Sequence, residues 1–329
     1  MIGYFSSGIG RIPYLDKFLG ESCRKVTLLS RSQSWSSIVG WGRKITAEKP
    51  QRFARKKGIP YIALEDGFLR SLKLGINDTL RHSLIVDNTG IYYDATCPSD
   101  LERLIKEADF SEQDLERADA CIQFLKTYRL SKYNHAPDKF SSFSLDGGEA
   151  ANRVLVVDQT KGDASIEYGM SNENSFKIML ESAVNDNPEA EILVKVHPDV
   201  IEGKKQGYLY KLAQIYDCTI VEEDVSVWTL LENVAKVYVV TSQLGFEALL
   251  AKKQVYCFGI PFYAGWGLTH DHLICDRRGM SRSLQQIFFS AYIKYPRYIN
   301  PYTGECCEIE DTMRLLSREK HNLERYRAS

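Results

Sequence analysis

No CxxC pair occurs among the eight cysteines, which stand singly at 23, 97, 121, 218, 257 and 275 and side by side at 306 and 307. That spacing supports neither a zinc cluster nor a disulfide framework, so the thiols are expected to be reduced. No stretch reaches the roughly 18 consecutive apolar residues of a membrane span. The opening MIGYFSSGIGR lacks the basic start and long apolar middle of a signal peptide, which points to the cytoplasm. Excess charge is missing too: 42 basic residues meet 43 acidic ones, and a near-neutral chain is not expected to bind nucleic acid. Neither an internal repeat nor a low-complexity tract is visible.

What remains is a soluble, globular composition, 44% apolar and 26% charged over 329 residues, long enough for two domains. In the first half MIGYFS, KVTLLS, SSIVGWGRK and PYIALEDG read as strands. PYLDKFLG and TAEKPQRFARKKG read as helices, the second ending at Gly58. LIVDNTGIYYDA reads as a β-hairpin or bent strand pair turning at Asn88–Gly90. Two further helices, SDLERLIKEAD and SEQDLERADACIQFLKTYRLSKY, follow. Residues 134–152 are rich in Ser, Asp, Pro and Gly and mark a boundary. Beyond it, strands RVLVVDQT, AEILVKVHPD, CTIVEED, KVYVVTS and QVYCFG alternate with helices, the signature of an open parallel sheet. The expected fold is α/β, two Rossmann-like domains facing a cleft: residues 1–140, residues 141–300, and a C-terminal helix over 301–329 packing back on the first domain.

Polar groups gather at the strand ends, where α/β sheets bind ligands. Glu65 and Asp66 end one strand. Asp158, Gln159 and Thr160 follow VLVV; Lys195 and His197 alternate on one face of another strand. Ser242 and Gln243 open a helix whose N-terminus suits a phosphate, although Ser242 is also an ordinary N-cap. Tyr263, in FYAGWG, is either packing or a platform for a base or sugar. Arg70 is a natural counterion for Glu65 or Asp66.

The strings GRIPYLDKFL, LEDGFLRS, GIYYDA, LSKYN, VLVVDQT, VKVHPDVIEGKK, VYVVTSQLGFEALLAKK and FYAGWGLT run in order from about residue 10 to 270. Together they resemble the KpsC-type capsule β-Kdo glycosyltransferases of the GT-B fold, and more distantly the bacterial sialyltransferases. The chain is similar to the N-terminal module of the two-module family protein, associated with β-(2→4) transfer. The resemblance implies a retaining transferase that uses CMP-β-Kdo, with Asp158 as nucleophile, Glu65 as acid/base, and His197 on the donor phosphate assisted by Ser242 and Gln243. It implies a Kdo-terminated poly-Kdo acceptor on phosphatidylglycerol, reached at the inner face of the cytoplasmic membrane. Capsule biosynthesis and export proteins are the implied partners.

Retention by double displacement needs two carboxyl groups about 5 Å apart at the reacting sugar. CMP leaves as a phosphomonoester, so neither a metal nor another cofactor is expected. Lys195 is added to the phosphate group from strand geometry, with Gln159, Thr160 and Tyr263 completing the donor set; Asp66 and Arg70 are expected to support the acidic loop. Two alternatives stay open: an inverting CMP-sugar transferase with Glu65 as base, and a glycan- or nucleotide-binding module without turnover.

Overall fold

The computed structural model describes residues 1–30, 33–73, 80–140, 150–196, 198–201 and 203–328. The chain forms two compact units: residues 1–92, 97–135 and 288–329 make the first, residues 93–96 and 136–287 the second.

The first unit is built on seven strands: β1 (Ile2–Tyr4), β2 (Cys23–Lys25), β3 (Ser37–Trp41), β4 (Tyr61–Asp66), β5 (Ser83–Asp87), and, from the end of the chain, β12 (Pro296–Ile299) and β13 (Cys306–Cys307). Their order is β13-β12-β5-β4-β3-β1-β2. The pairs from β2 to β4 are parallel, whereas β4–β5, β5–β12 and β12–β13 are antiparallel. Ile2, Val39, Leu64 and Leu84 of one sheet face form a core to which the short helix Leu15–Leu19 adds Phe18, and Ile38 joins Val26, Trp35 and Ala54 in a second cluster. The 20-residue helix Ile309–Ala328 also belongs to this unit; Arg117 fixes its start by binding Glu310 at 2.7 Å and Glu308 at 2.8 Å.

Two local expectations fail here. LIVDNTGIYYDA is not a hairpin, because β5 stops at Asp87 and finds its partners in β4 and β12. The buried Asp87 carboxylate accepts the N–H groups of Thr89, Gly90 and Asp100, which folds the chain into a capped turn instead of a returning strand. The strand in KVTLLS ends at Lys25; Thr27 and Ser30 exchange side-chain and backbone hydrogen bonds in a turn that leaves Leu28 and Leu29 exposed. SLQQIFFSAYIKY begins as α-helix over Leu284–Phe288 and continues as a π-helix over Phe289–Lys294.

The second unit is an all-parallel sheet of β6 (Arg153–Val157), β7 (Glu191–Lys195), β8 (Thr219–Val221), β9 (Lys236–Val239), β10 (Gln254–Cys257) and β11 (His270–Asp271), ordered β11-β10-β9-β6-β7-β8. Its central strands read as apolar runs because helices cover the sheet; Phe176, Met179 and Leu180 of the helix Glu173–Asn185 lie fully buried on Val154, Val156 and Val194. The chain leaves β6 toward β7 and β8, then crosses back to β9 on the other side. Strand order therefore reverses between β6 and β9, and the crevice at their carboxyl ends is the topological switch point, the place where such sheets hold ligands.

Candidate functional site

In the first unit, β4 carries its apolar run Ile62–Leu64 into the core and then ends in the acidic pair. The chain can turn there only because residue 67 is glycine: a β-carbon at Gly67 would run into the Ser83 side chain. Phe68 is then driven inside, stacking on Tyr292 with ring centroids 5.1 Å apart and meeting Tyr92 edge-on at 4.9 Å. The acids are thus delivered by a strand, a tight turn and an aromatic anchor.

Adjacent residues on a strand face opposite ways, and the two acids have different surroundings. Glu65 Oε1 accepts Trp41 Nε1–H at 3.0 Å and the Asp66 N–H at 3.1 Å. Its Oε2 makes no hydrogen bond among the described residues. Burial and the neighbouring Asp66 charge push the Glu65 carboxyl up to about 7, against the opposing pull of Lys132, Lys44 and the Asp66 N–H. Such a group exchanges a proton near neutrality and has one oxygen free to do so. Asp66 is also buried, but Arg70, Lys132 and Arg81 outweigh that cost and hold its carboxyl below the ordinary range. It pairs with Arg70 at 3.1 Å and Arg81 at 2.9 Å. Arg70 is 1% exposed, so Asp66 and Arg70 support one another, and Glu65 is the acid left over.

In the second unit, the end of β6 supplies Asp158 and Gln159 and the end of β9 leads to Thr241 and Ser242. The Gln159 side chain ties the two ends together: its Oε1 accepts the Thr241 N–H at 3.0 Å, and its Nε2–H donates to Thr241 Oγ1 at 3.1 Å. Gln159 therefore closes the floor of the switch-point crevice. The Thr160 carbonyl accepts the Asp163 N–H at 3.2 Å and turns the loop into the helix Ala164–Tyr168.

Asp158 is 5% exposed. Its carboxylate accepts N–H groups from Gln159 at 2.9 Å, Tyr208 at 3.0 Å and Leu209 at 3.2 Å. Gly207 allows this approach, because a β-carbon there would strike Asp158 Oδ2. Burial raises the Asp158 carboxyl above its ordinary value, despite these N–H groups and Lys161. The carboxylate is thus fixed in orientation, and its charge is met by amide dipoles. The same loop borders a cleft of about 1010 Å³ whose walls include Lys161, Lys177, Lys205, Lys211 and Tyr208.

The other expected donor residues are distributed unevenly. Lys195 donates to the Glu223 carbonyl at 2.6 Å, and burial pulls its ammonium down to about 8, against Asp224 and Glu223. Ser242 Oγ accepts the Leu244 N–H at 3.3 Å, and Gln243 takes the N-cap position of the helix Leu244–Leu250 without a side-chain cap. Tyr263 is fully buried and its hydroxyl donates to the Ser242 carbonyl. With Phe262 and Trp266 buried beside it, FYAGWG is a packing motif that braces the Ser242 turn from within, not an open platform. His197 lies outside the described residues.

Sequence reasoning named Glu65 but missed its neighbours. Trp41 ends β3 one strand away, and Lys44 and Arg81 lie over its ring at 5.9 and 5.4 Å. Lys132 sits in LSKYN, noted above as part of a resemblance and given no role. No local pattern ties residues 41, 44, 81 and 132 to residue 65; strand pairing and the loop after the helix Glu112–Thr127 do so.

The two sheets and their strand-end sites define an α/β protein of the two-Rossmann-unit, GT-B-like class. More narrowly, residues 36–298 match the family model described as capsule polysaccharide biosynthesis protein, and the chain belongs to that family. Its relatives include the capsule polysaccharide modification protein LipA of Neisseria meningitidis serogroup B, 43% identical over 98% of this chain and 46% of the relative. The lipopolysaccharide-processing protein LpsZ of Rhizobium meliloti is 40% identical over 88% of this chain and 66% of the relative. The chain thus spans about half the length of the LipA relatives it matches. Among solved structures, the Thermosulfurimonas dismutans KpsC β-Kdo 2,4 transferase is similar at a TM-score of 0.89 and 41% identity, covering 96% of this chain and 97% of that one. The β-Kdo 2,7 transferase of the same KpsC gives 0.74 and 30%, covering 97% and 99%.

Proposed function

We propose that the chain is a Kdo transferase of capsule polysaccharide biosynthesis. It takes Kdo from CMP-β-Kdo and adds it in β linkage to a Kdo-terminated poly-Kdo linker on phosphatidylglycerol, at the inner face of the cytoplasmic membrane. The likeness to the KpsC β-Kdo 2,4 transferase supports the substrate class. The observation that carries the chemistry is Glu65, a strand-end carboxyl with a free Oε2 and an ionisation pushed to about 7. No helix among the described residues is long and apolar enough to cross a membrane.

The reaction runs in two displacements. Asp158 attacks the anomeric carbon of the donor, the C–O bond to phosphate breaks, and CMP leaves with the electron pair. In this scheme Ser242, Gln243, Lys195 and His197 receive the phosphate near the switch-point crevice, and no metal is needed to stabilise a phosphomonoester. An acceptor hydroxyl then attacks the same carbon, giving its proton to Glu65 as the Asp158 ester bond breaks. Two inversions leave the anomeric configuration unchanged, which requires both carboxyls to serve one sugar.

One observation favours a second reading. The N–H groups on Asp158 are what a carboxylate needs to hold the 207–209 segment in place. In that reading Asp158 is a loop staple and Glu65 the base of a single inverting step. Incubation with CMP-β-Kdo and a Kdo-terminated acceptor, followed by NMR of the product, separates them. A β linkage is expected; an α linkage establishes the inverting reading, and absence of both CMP release and product refutes transfer.

A further inference from the structure

LSKYN, residues 130–134, is fastened more firmly than a connecting loop requires. Asn134 is 3% exposed; its Oδ1 accepts the Ser131 N–H at 2.9 Å, and its amide donates to the carbonyls of Ser131 at 2.9 Å and Ser71 at 3.1 Å. The Lys132 carbonyl accepts the N–H groups of Arg70 at 3.1 Å and Ser71 at 3.3 Å. Lys132 is thereby pinned to the chain just past the acidic pair, where its charge acts on both Glu65 and Asp66.

The ammonium acts there through its charge, not through its hydrogen-bond donors. Lys132 Nζ lies 5.9 Å from the Tyr133 ring centroid and makes no hydrogen bond or ion pair among the described residues. Burial works against the Lys132 ammonium, but the facing Tyr92, Tyr133, Asp66 and Glu65 outweigh that cost and hold its ionisation above the ordinary lysine range, so the group stays charged while its hydrogen-bond donors remain open. Lys44 Nζ, over the Trp41 ring, is likewise without a hydrogen bond or ion pair among the described residues. Arg70 and Arg81 are committed to Asp66. Four cations therefore stand around two carboxylates, leaving a surplus of positive charge beside Glu65 Oε2. A neutral hydroxyl gives no reason for that surplus; a bound anion does.

We propose that Lys132 is an acceptor-binding residue: its ammonium, helped at the rim by Lys44, pairs with the carboxylate of a sugar-acid acceptor and sets the acceptor hydroxyl against Glu65 Oε2. The inference rests on the reading of Glu65 as the group that receives the hydroxyl proton. It makes the enzyme selective for acidic acceptors through the first unit.

The test compares a Kdo-terminated oligosaccharide with the methyl ester of its terminal carboxyl. Wild type should prefer the acid by about ten- to a hundredfold in kcat/KM, the worth of one charge-assisted hydrogen bond. Lys132→Met should bring that ratio close to one by raising the KM of the acid acceptor, and Lys132→Arg should restore part of it. An unchanged ratio overturns the proposal. So does an equal loss on both acceptors with a displaced pH limb, which would make Lys132 only a tuner of Glu65, and so does a rise confined to the KM for CMP-Kdo. If wild type transfers nothing, the reading of the function falls. Calorimetry then tests Lys132 separately: tighter binding of the acid than of the ester, lost in Lys132→Met, upholds the subsite, and equal binding removes it.

Discussion

Replacing Glu65 by Gln removes one proton-binding group and keeps the shape of the side chain. The Glu65 carboxyl ionises near 7 in the folded protein, against an ordinary value of 4.5. Its ionisation is therefore penalised by folding, and the sign follows. The stability it leaves intact below pH 4.5 is lost as the pH rises through 7. Each pKa unit is worth 1.36 kcal/mol. Partial exposure of Glu65 reduces the full figure, leaving about 2 kcal/mol lost by wild type relative to Glu65→Gln between pH 5 and 8. The assay is urea unfolding of both proteins across that range, following the transition of the unit that carries Glu65, since two units need not unfold together. The difference between the proteins should be steepest near pH 6 and level off above 7.5. In turnover, wild type should lose activity as pH falls below 7, because the base is then protonated, and Glu65→Gln should be slower by about 10²- to 10⁴-fold. A stability difference independent of pH would show that Glu65 ionises normally, and the acid/base argument would lose its basis.

Asp66→Ala removes the carboxylate shared by Arg70 and Arg81. Leaving a buried guanidinium without its counterion should cost about 3 kcal/mol in urea unfolding; a loss under 1 kcal/mol would mean that Arg70 is satisfied without Asp66. Gly207→Ala would push a methyl group into the Asp158 carboxylate, with an expected destabilisation of about 1–3 kcal/mol. Transfer should fall more than that change explains, measured at a temperature where the variant remains folded. Unchanged activity would separate the 207–209 segment from the chemistry.

Much of this architecture is legible in the amino-acid order, for identifiable reasons. The second unit is an all-parallel sheet whose central strands are apolar runs bounded by polar residues, so VLVV, ILVKV and VYVV stand out, whereas its edge strand His270–Asp271 carries no such signal. Glu65 was visible because two acids at the end of such a run are rare without a use. LIVDNTGIYYDA misled because the Asn-Thr-Gly turn residues serve a hairpin and an Asp-capped loop equally well; the choice was made by Asp87, which binds three N–H groups. The two leucines of KVTLLS suggested a longer strand, but the Thr27–Ser30 turn ends it and leaves them exposed. Tyr263 could be read either as packing or as a platform, because aromatics among glycines serve both; it is buried, with Phe262 and Trp266 beside it. Lys132 carried no local signal, since its relation to Glu65 arises only when Asn134 fastens its loop to Ser71.

The most direct test of the account is intact-mass measurement of Glu65→Gln after incubation with CMP-β-Kdo and without acceptor, followed by peptide mapping. The account predicts one added Kdo, carried as an ester on Asp158 and absent from an Asp158→Asn, Glu65→Gln double variant. Unmodified protein under conditions in which CMP is released, or Kdo found on another residue, would contradict it.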